Sequence, residues 1–245
     1  MCGIFGSTNK NSLQDTYTGL KRLEYRGYDS FGYAAIQEGK VNVAKQLGPV
    51  DEAAFNGDYE QAIGHVRWAT NGEVTEENAH PQSAGTYHVV HNGVVENAPA
   101  GMLDTKWIAD LLDEQGVLPT WDTIEGDNAV IVLHSETEEI FCFAQGSKRL
   151  FITTNGYVSS DLNALAGFDT RAWVLEDSFC SIRGIVEELG WGQRIVDVPS
   201  EYKSKLKPGH KMLMEIEEQV GLKSGNWPTI EPVSYTHLRA HETGR

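Results

Sequence analysis

Apolar positions along this chain recur mostly in short alternating runs, and many of the runs fall into pairs. Residues 2–7 (CGIFGS) open with such a run and predict a strand. Ser12 is then placed to cap a helical pattern that carries Leu20 and Leu23, extends to about Tyr25 and stops at Gly27. Residues 32–36 (GYAAI) and 40–46 (KVNVAKQ) predict a hairpin with Glu38-Gly39 in its turn. Residues 64–69 (GHVRWA) read as a strand that delivers Arg67 and Trp68 to its end, ahead of a polar loop, NGEVTEENAHPQ. Residues 87–91 (YHVVH) read as a strand running into a turn at Asn92-Gly93.

In the second half, Asp104 or Thr105 can cap a helix, DTKWIADLLDEQ, with Ile108, Leu111 and Leu112 on one face and Gly116 at its end. A hairpin follows, AVIVLH–SETEE–IFCFAQ, and then a second, RLFITT–NG–YVSSD. Residues 161–166 predict a short helix, and residues 211–217 (KMLMEIE) a late strand. Strands outnumber helices and arrive as hairpins, which argues for antiparallel sheets with the two longer helices covering their faces. The closing stretch, SYTHLRAHETGR, is basic where the rest is acidic and follows neither period. Residues 234–245 are set aside as a non-native or disordered tail.

Composition narrows the function classes. The net charge of −15 over 245 residues disfavours non-specific binding to nucleic acid or an anionic membrane. No apolar run reaches 18 residues, and the start, MCGIFGSTNK, lacks the layout of a secretory signal. Three widely spaced cysteines, Cys2, Cys142 and Cys180, suit a reducing cytoplasm better than a disulfide framework. The eight histidines form no HExxH and no Cys/His ligand spacing, so no metal is expected.

Cys2 alone is a weak cue, since a small buried residue often opens a strand. Yet a small second residue permits removal of Met1. The new terminus would carry a thiol and an α-amine on one residue. That amine, with a reference pKa of roughly 7.7–8.0, can take the thiol proton directly or through a water. No histidine is then needed as base.

Five blocks occur in order: MCGIFG, LEYRGYDSFG (23–32), GHVRWATNG (64–72), ENAHPQ (77–82) and VVHNGVVEN (89–97). Together they resemble the class II glutamine amidotransferases, which are N-terminal nucleophile hydrolases. The LEYRGYDS block points to the glutaminase domain of the glutamine–fructose-6-phosphate aminotransferase branch. The match is good over residues 2–165 and loose beyond, and one glutaminase domain is expected over 2–233. The resemblance implies an α+β, four-layer αββα sandwich of two antiparallel sheets covered by helices, with the nucleophile opening an inner strand.

The resemblance also assigns roles. Cys2 is the nucleophile. Asn92 and Gly93 form the oxyanion hole, where each preorganised donor is worth roughly 10²–10³ in rate; an ordinary hairpin turn is the competing reading. Arg67 clamps the α-carboxylate of glutamine as a guanidinium fork, against a surface salt bridge. Asp104 takes the α-ammonium, against a role as helix N-cap. Trp68 and Thr70 belong to a loop closing over the substrate, with core packing as the alternative for Trp68. Arg26 and Gly27 help to orient the nucleophile's terminus; for Arg26 a structural ion pair competes. Tyr28, Asp29, His80 and His91 are read as structural. Asn71 stands where the family block has histidine, which touches loop closure rather than the chemistry.

The expected reaction is hydrolysis of L-glutamine through a γ-glutamyl thioester, without cofactor. A separate synthase protein would accept the ammonia, because the family's sugar-isomerase domains have no counterpart here; a homo-oligomer is compatible with this. Two other readings stand beside it. One is a catalytically silent module binding glutamine or a partner. The other is an N-terminal nucleophile hydrolase acting on a different amide, which Arg67 with Asp104 disfavours.

Overall fold

Residues 2–68, 73–183 and 194–205 are described in a computed structural model of the chain. The strands β1 (Gly3–Ser7), β2 (Ser30–Gln37), β3 (Lys40–Leu47) and β4 (Gln61–Arg67) come first. They are followed by β5 (Gln82–Ala84), β6 (Tyr87–Val95), β7 (Gly126–His134) and β8 (Glu139–Gln145). The last are β9 (Leu150–Thr153), β10 (Tyr157–Ser159), β11 (Arg171–Leu175), β12 (Ser178–Ser181) and β13 (Ile195–Asp197). The α-helices named among the described residues are α1 (Ser12–Leu23), α2 (Asp104–Gln115) and α3 (Val117–Thr123). Among the described residues the strands form an eight-stranded sheet, β13-β11-β9-β10-β1-β4-β2-β3, and a five-stranded sheet, β12-β8-β7-β6-β5. Every ladder between named strands is antiparallel.

Period-2 alternation in the strands builds the layers. On β7, Ala129, Ile131 and Leu133 join Ile4, Ile63 and Ile152 of the larger sheet in a core between the two sheets. The intervening Val130 and Val132 turn the other way, against Ile108 and Leu112 of α2. On β1, Ile4 faces the inter-sheet core while Phe5 meets Leu13, Leu20 and Leu23 of α1. Three apolar layers thus separate helix, sheet, sheet and helix, the expected αββα arrangement. Each buried leucine or isoleucine contributes roughly 1.5–3 kcal/mol. Among the described residues no helix is long and apolar enough to cross a membrane.

Several local expectations need correction. Asn92-Gly93 is not a turn: both residues lie within β6, opposite Ala129 and Asn128 of β7. Continuing the strand buries Val95 against α2, and that burial outweighs the local turn preference of an Asn-Gly pair. Ser12 does not cap α1; the cap position is Asn11, and the Ser12 hydroxyl donates to the Tyr59 carbonyl instead. Likewise neither Asp104 nor Thr105 caps α2, because Leu103 occupies that position. The strand predicted over 64–69 begins at Gln61 and ends at Arg67. The short helix predicted over 161–166 is a 3-10 turn, Leu162–Leu165. Strands β5 and β11–β13 were not foreseen, nor was α3, which tolerates Pro119 because it falls in the first turn. The strand predicted over 211–217 and the tail over 234–245 lie outside the described residues.

Candidate active site

Cys2 stands one residue ahead of β1, at the mouth of a cleft of 460 Å³. That volume falls within the roughly 300–1,000 Å³ of small-molecule sites. The lining includes Arg67, Trp68, Asn78, Gly93, Asp104 and Thr105. The Cys2 Sγ donates to the Trp68 carbonyl at 3.7 Å. Burial pushes the thiol up, and the Trp68 backbone, the chain terminus and the Arg67 guanidinium offset this only in part. The resting group is therefore a thiol, and attack requires a base.

Gly27 fixes the floor beneath Trp68. A Cβ there would lie 2.4 Å from the Arg67 carbonyl carbon and 2.5 Å from the Trp68 nitrogen, so only glycine lets this backbone abut the end of β4. Asp29 N–H donates to the Arg67 carbonyl at 3.0 Å and completes the fit. The Trp68 ring is exposed and meets Tyr28 edge-on at 6.0 Å. The Arg67 side chain is buried, 4 % exposed, and its Nη1 donates to the Glu73 carbonyl at 3.1 Å. Burial pulls Arg67 down, and the neighbouring Cys2 and Asp29 push it back. Asn78 Nδ2 donates to the same Glu73 carbonyl at 3.1 Å. Thr70 and Asn71 lie outside the described residues, as does Met1.

Asp104 opens α2 and lines the cleft. Its Oδ2 accepts from the Val95 N–H at 3.0 Å, so the carboxylate ties α2 to the end of β6. Gly93 lines the same cleft, and its α-carbon is hemmed in by β7: a Cβ would stand 2.0 Å from the Asp127 carbonyl oxygen. Asn92 is buried beside Gly93; alternation puts its side chain on the face of Val90, turned towards the larger sheet, whose strand β1 follows directly on Cys2.

Arg26 is placed elsewhere. Its Nη2 pairs with Asp161 at 3.3 Å and reaches the Ser160 carbonyl at 3.4 Å, while Nε donates to the Tyr25 hydroxyl at 2.8 Å. Lys205 joins the same Asp161 at 2.6 Å. Ser160 Oγ in turn accepts from the Ile4 N–H at 3.2 Å, so this knot touches β1 from behind rather than from the cleft. Burial pushes the Asp161 carboxyl up, but Lys205 and Tyr25 more than offset it, and the net shift is downwards.

Three parts of the wall were given no catalytic or substrate-binding role by the sequence. His80 and His91 both line the cleft, with Thr105 between them, and the His65 ring packs against His80 at 3.9 Å, tilted by 32°. Asn78 carries no periodic or motif signal beyond its place in ENAHPQ. Residues 101–103, the loop into α2, belong to a segment without periodicity.

No protein-family model matches the chain. It is similar to a glutamine–fructose-6-phosphate aminotransferase of Aquifex aeolicus, 36% identical over 209 residues, covering 72% of this chain and 35% of that protein. The counterpart from Acinetobacter baylyi is 31% identical over 258 residues, covering 89% of this chain and 42% of that protein. The chain thus spans well under half the length of these relatives. Among solved structures it is similar to the glutamine phosphoribosylpyrophosphate amidotransferase from B. subtilis, with a TM-score of 0.56 at 21% identity, covering 74% of this chain and 48% of that one. A second neighbour, described as the allosteric regulatory enzyme of purine biosynthesis, has a TM-score of 0.58 at 23% identity over the same shares. At these identities the two structures speak for the fold.

Proposed function

This chain belongs to the class II glutamine amidotransferases, and from that premise we propose that it hydrolyses L-glutamine to glutamate and ammonia with Cys2 as nucleophile. The observation that carries the reading is the meeting of Cys2, Arg67, Gly93 and Asp104 in one cleft of amino-acid size. These residues come from the residue before β1, from β4, β6 and α2, and the first three lie far apart in sequence. A guanidinium and a carboxylate facing one cleft suit the α-carboxylate and α-ammonium of a free amino acid.

With Met1 removed, the Cys2 α-amine takes the thiol proton, since the buried thiol does not ionise readily by itself. The sulfur attacks the side-chain amide carbon. Gly93 N–H and the Asn92 amide receive the developing oxyanion. Collapse returns the proton to the leaving nitrogen, ammonia departs, and water hydrolyses the γ-glutamyl thioester. Trp68, which lines the cleft, closes it against water. No step calls for a metal or organic cofactor.

The relatives' names join glutamine to fructose 6-phosphate, and this chain corresponds to only part of their length. We therefore assign the ammonia to an acceptor domain, fused in a longer chain or carried by a separate synthase, in the cytoplasm.

Glutamate release from L-glutamine by wild type and by Cys2→Ala tests the reading. Loss of release in the variant is expected; equal rates would remove Cys2 as nucleophile. Intact-mass measurement adds a second check, because a retained Met1 would leave the thiol without its own amine.

A further inference from the structure

Behind the cleft wall lies a chain of buried polar side chains whose protons can be placed one by one. The His91 backbone N–H faces His80 Nδ1 at 3.3 Å. A backbone N–H can only donate, so Nδ1 is the bare nitrogen. Burial holds both His80 and His91 neutral, His91 with its pKa lowered to about 4. His80 therefore carries its proton on Nε2 and donates to Thr105 Oγ1 at 3.0 Å. The hydroxyl's own proton is left for His91 Nδ1, at 3.4 Å. His91 must then be protonated on Nε2, and it donates to Asn128 Oδ1 at 3.0 Å. Asn128 Nδ2 donates to Gln145 Oε1 at 3.2 Å, and Gln145 Nε2 to the Ile124 carbonyl at 3.0 Å. Each group in the series uses one donor and one acceptor, and all the bonds run one way.

The series has a geometric consequence for the cleft. His91, Gly93 and Val95 share one face of β6. His91 is tied to Thr105 and Val95 to Asp104, and these two residues form the first turn of α2. The two ties straddle Gly93. His65, two residues before Arg67 on β4, packs against His80 in a tilted ring contact and joins the opposite wall to the same unit. Among the described residues no group of three or more His, Cys, Asp or Glu is arranged to hold a metal ion. The imidazoles are engaged with one another through a hydroxyl and through a tilted ring contact.

We propose that Thr105 is a positioning residue: its hydroxyl, accepting from His80 and donating to His91, sets the separation between the Asp104 carboxylate and the Asn92–Gly93 strand across the cleft. This rests on the reading of the cleft as a glutamine site. Thr105→Val keeps the shape and removes the hydroxyl, leaving a buried N–H on His80 and a bare nitrogen on His91 without partners. Thr105→Ser restores the hydroxyl without the methyl group.

Steady-state glutamate release is measured for wild type and both variants, with the folded fraction of each. Thr105→Val is expected to raise KM and lower kcat together, reducing kcat/KM about 10- to 100-fold. Thr105→Ser is expected to stay within about threefold of wild type. A role in stability alone would lower kcat with the folded fraction and leave KM unmoved, and that result would overturn the proposal. Unchanged constants in Thr105→Val, or a serine variant as impaired as the valine one, would do the same. Nitrogen-15 NMR of the imidazoles decides the network without turnover: His80 and His91 are both expected as Nε2–H tautomers, and an Nδ1–H on either overturns it. A wild-type protein with these tautomers that releases no glutamate would sink the functional reading and leave the network standing.

Discussion

Gly93→Ala isolates the contact on which the oxyanion site depends. The added Cβ would stand 2.0 Å from the Asp127 carbonyl oxygen, 2.9 Å from the Asn128 α-carbon and 2.9 Å from His91 Nε2. Ordinary contact starts near 3.4 Å, so β6 must draw away from β7 by about 1.4 Å at this point. The two nearest obstacles are a carbonyl oxygen and an α-carbon of the paired strand, so no side-chain rotation relieves them. Overpacking of this kind costs about 3 kcal/mol, at the upper end of its usual range. For a domain of this size that lowers Tm by about 6–12 °C. The same shift carries the Gly93 N–H more than about 1 Å from its place, which costs on the order of 10²-fold in rate. Differential scanning calorimetry gives the first quantity, and kcat/KM for glutamine, corrected for the folded fraction, gives the second. Removing the Asp127 side chain in the same molecule should rescue neither, because the obstruction is a carbonyl of the main chain. An alanine variant with wild-type Tm would refute the packing argument. One with lowered Tm and unchanged kcat/KM per folded molecule would make Gly93 a framework residue and remove it from the oxyanion site.

Asp104→Asn keeps an acceptor for the Val95 N–H but loses the charge, so KM for glutamine should rise about 10- to 100-fold with little change in Tm; an unchanged KM removes the ammonium role. Stability should fall on acidification: burial lowers His91 to about 4 against about 6.5 unfolded, with Asp104 opposing and Lys148 reinforcing the shift. Between those values the unfolded chain binds the extra proton. Stability is thus fully present above pH 6.5 and declines by about 3 kcal/mol for this ring by pH 4, with His65 and His80 acting in the same direction. Urea midpoints that do not move between pH 7 and pH 5 would contradict this. Asp161→Asn removes the charge shared by Arg26 and Lys205 and should lower Tm by about 4–8 °C, near 2 kcal/mol, by thermal denaturation; a smaller loss would make the knot behind β1 dispensable.

The sequence carried the layers well and the joints poorly. Alternation in residues 129–134 and 140–145, and the Ile108–Leu112 face of α2, are strong local signals, and the sandwich follows from them. Short edge elements such as β5 and β13 have three residues each, too few for a period to register. Asn92-Gly93 reads as a turn because local chemistry favours one, while the pairing with β7 that overrides it comes from residues 35 positions away. Cys2, Arg67 and Asp104 were singled out because each has a side-chain chemistry that a glutamine site would need, and folding brings the three to one cleft. Thr105 and Asn78 were not, since hydroxyl and amide groups gain their meaning only from partners such as His80 and Glu73 that folding brings near. For Arg26, whose block assigned it by resemblance to orienting the nucleophile's terminus with a structural ion pair as the competing reading, the chain forms the pair with Asp161.

The extended run of Asn92 into Gly93 bears on how the molecule ages. An Asn-Gly pair loses its amide when the glycine nitrogen swings onto the asparagine side-chain carbonyl and closes a succinimide ring. That motion needs a free, adaptable backbone. Among the described residues, Asn56-Gly57 is exposed, Asn155 is exposed beside a buried Gly156, and both glycines are left-handed in connections between strands. Asn92-Gly93 is instead pinned in a buried ladder, with no freedom to fold back on itself. Peptide mapping of long-stored protein should therefore find isoaspartate at 56 and 155 well before 92, so the loops wear first and the amide proposed to hold the oxyanion lasts as long as β6 stays paired.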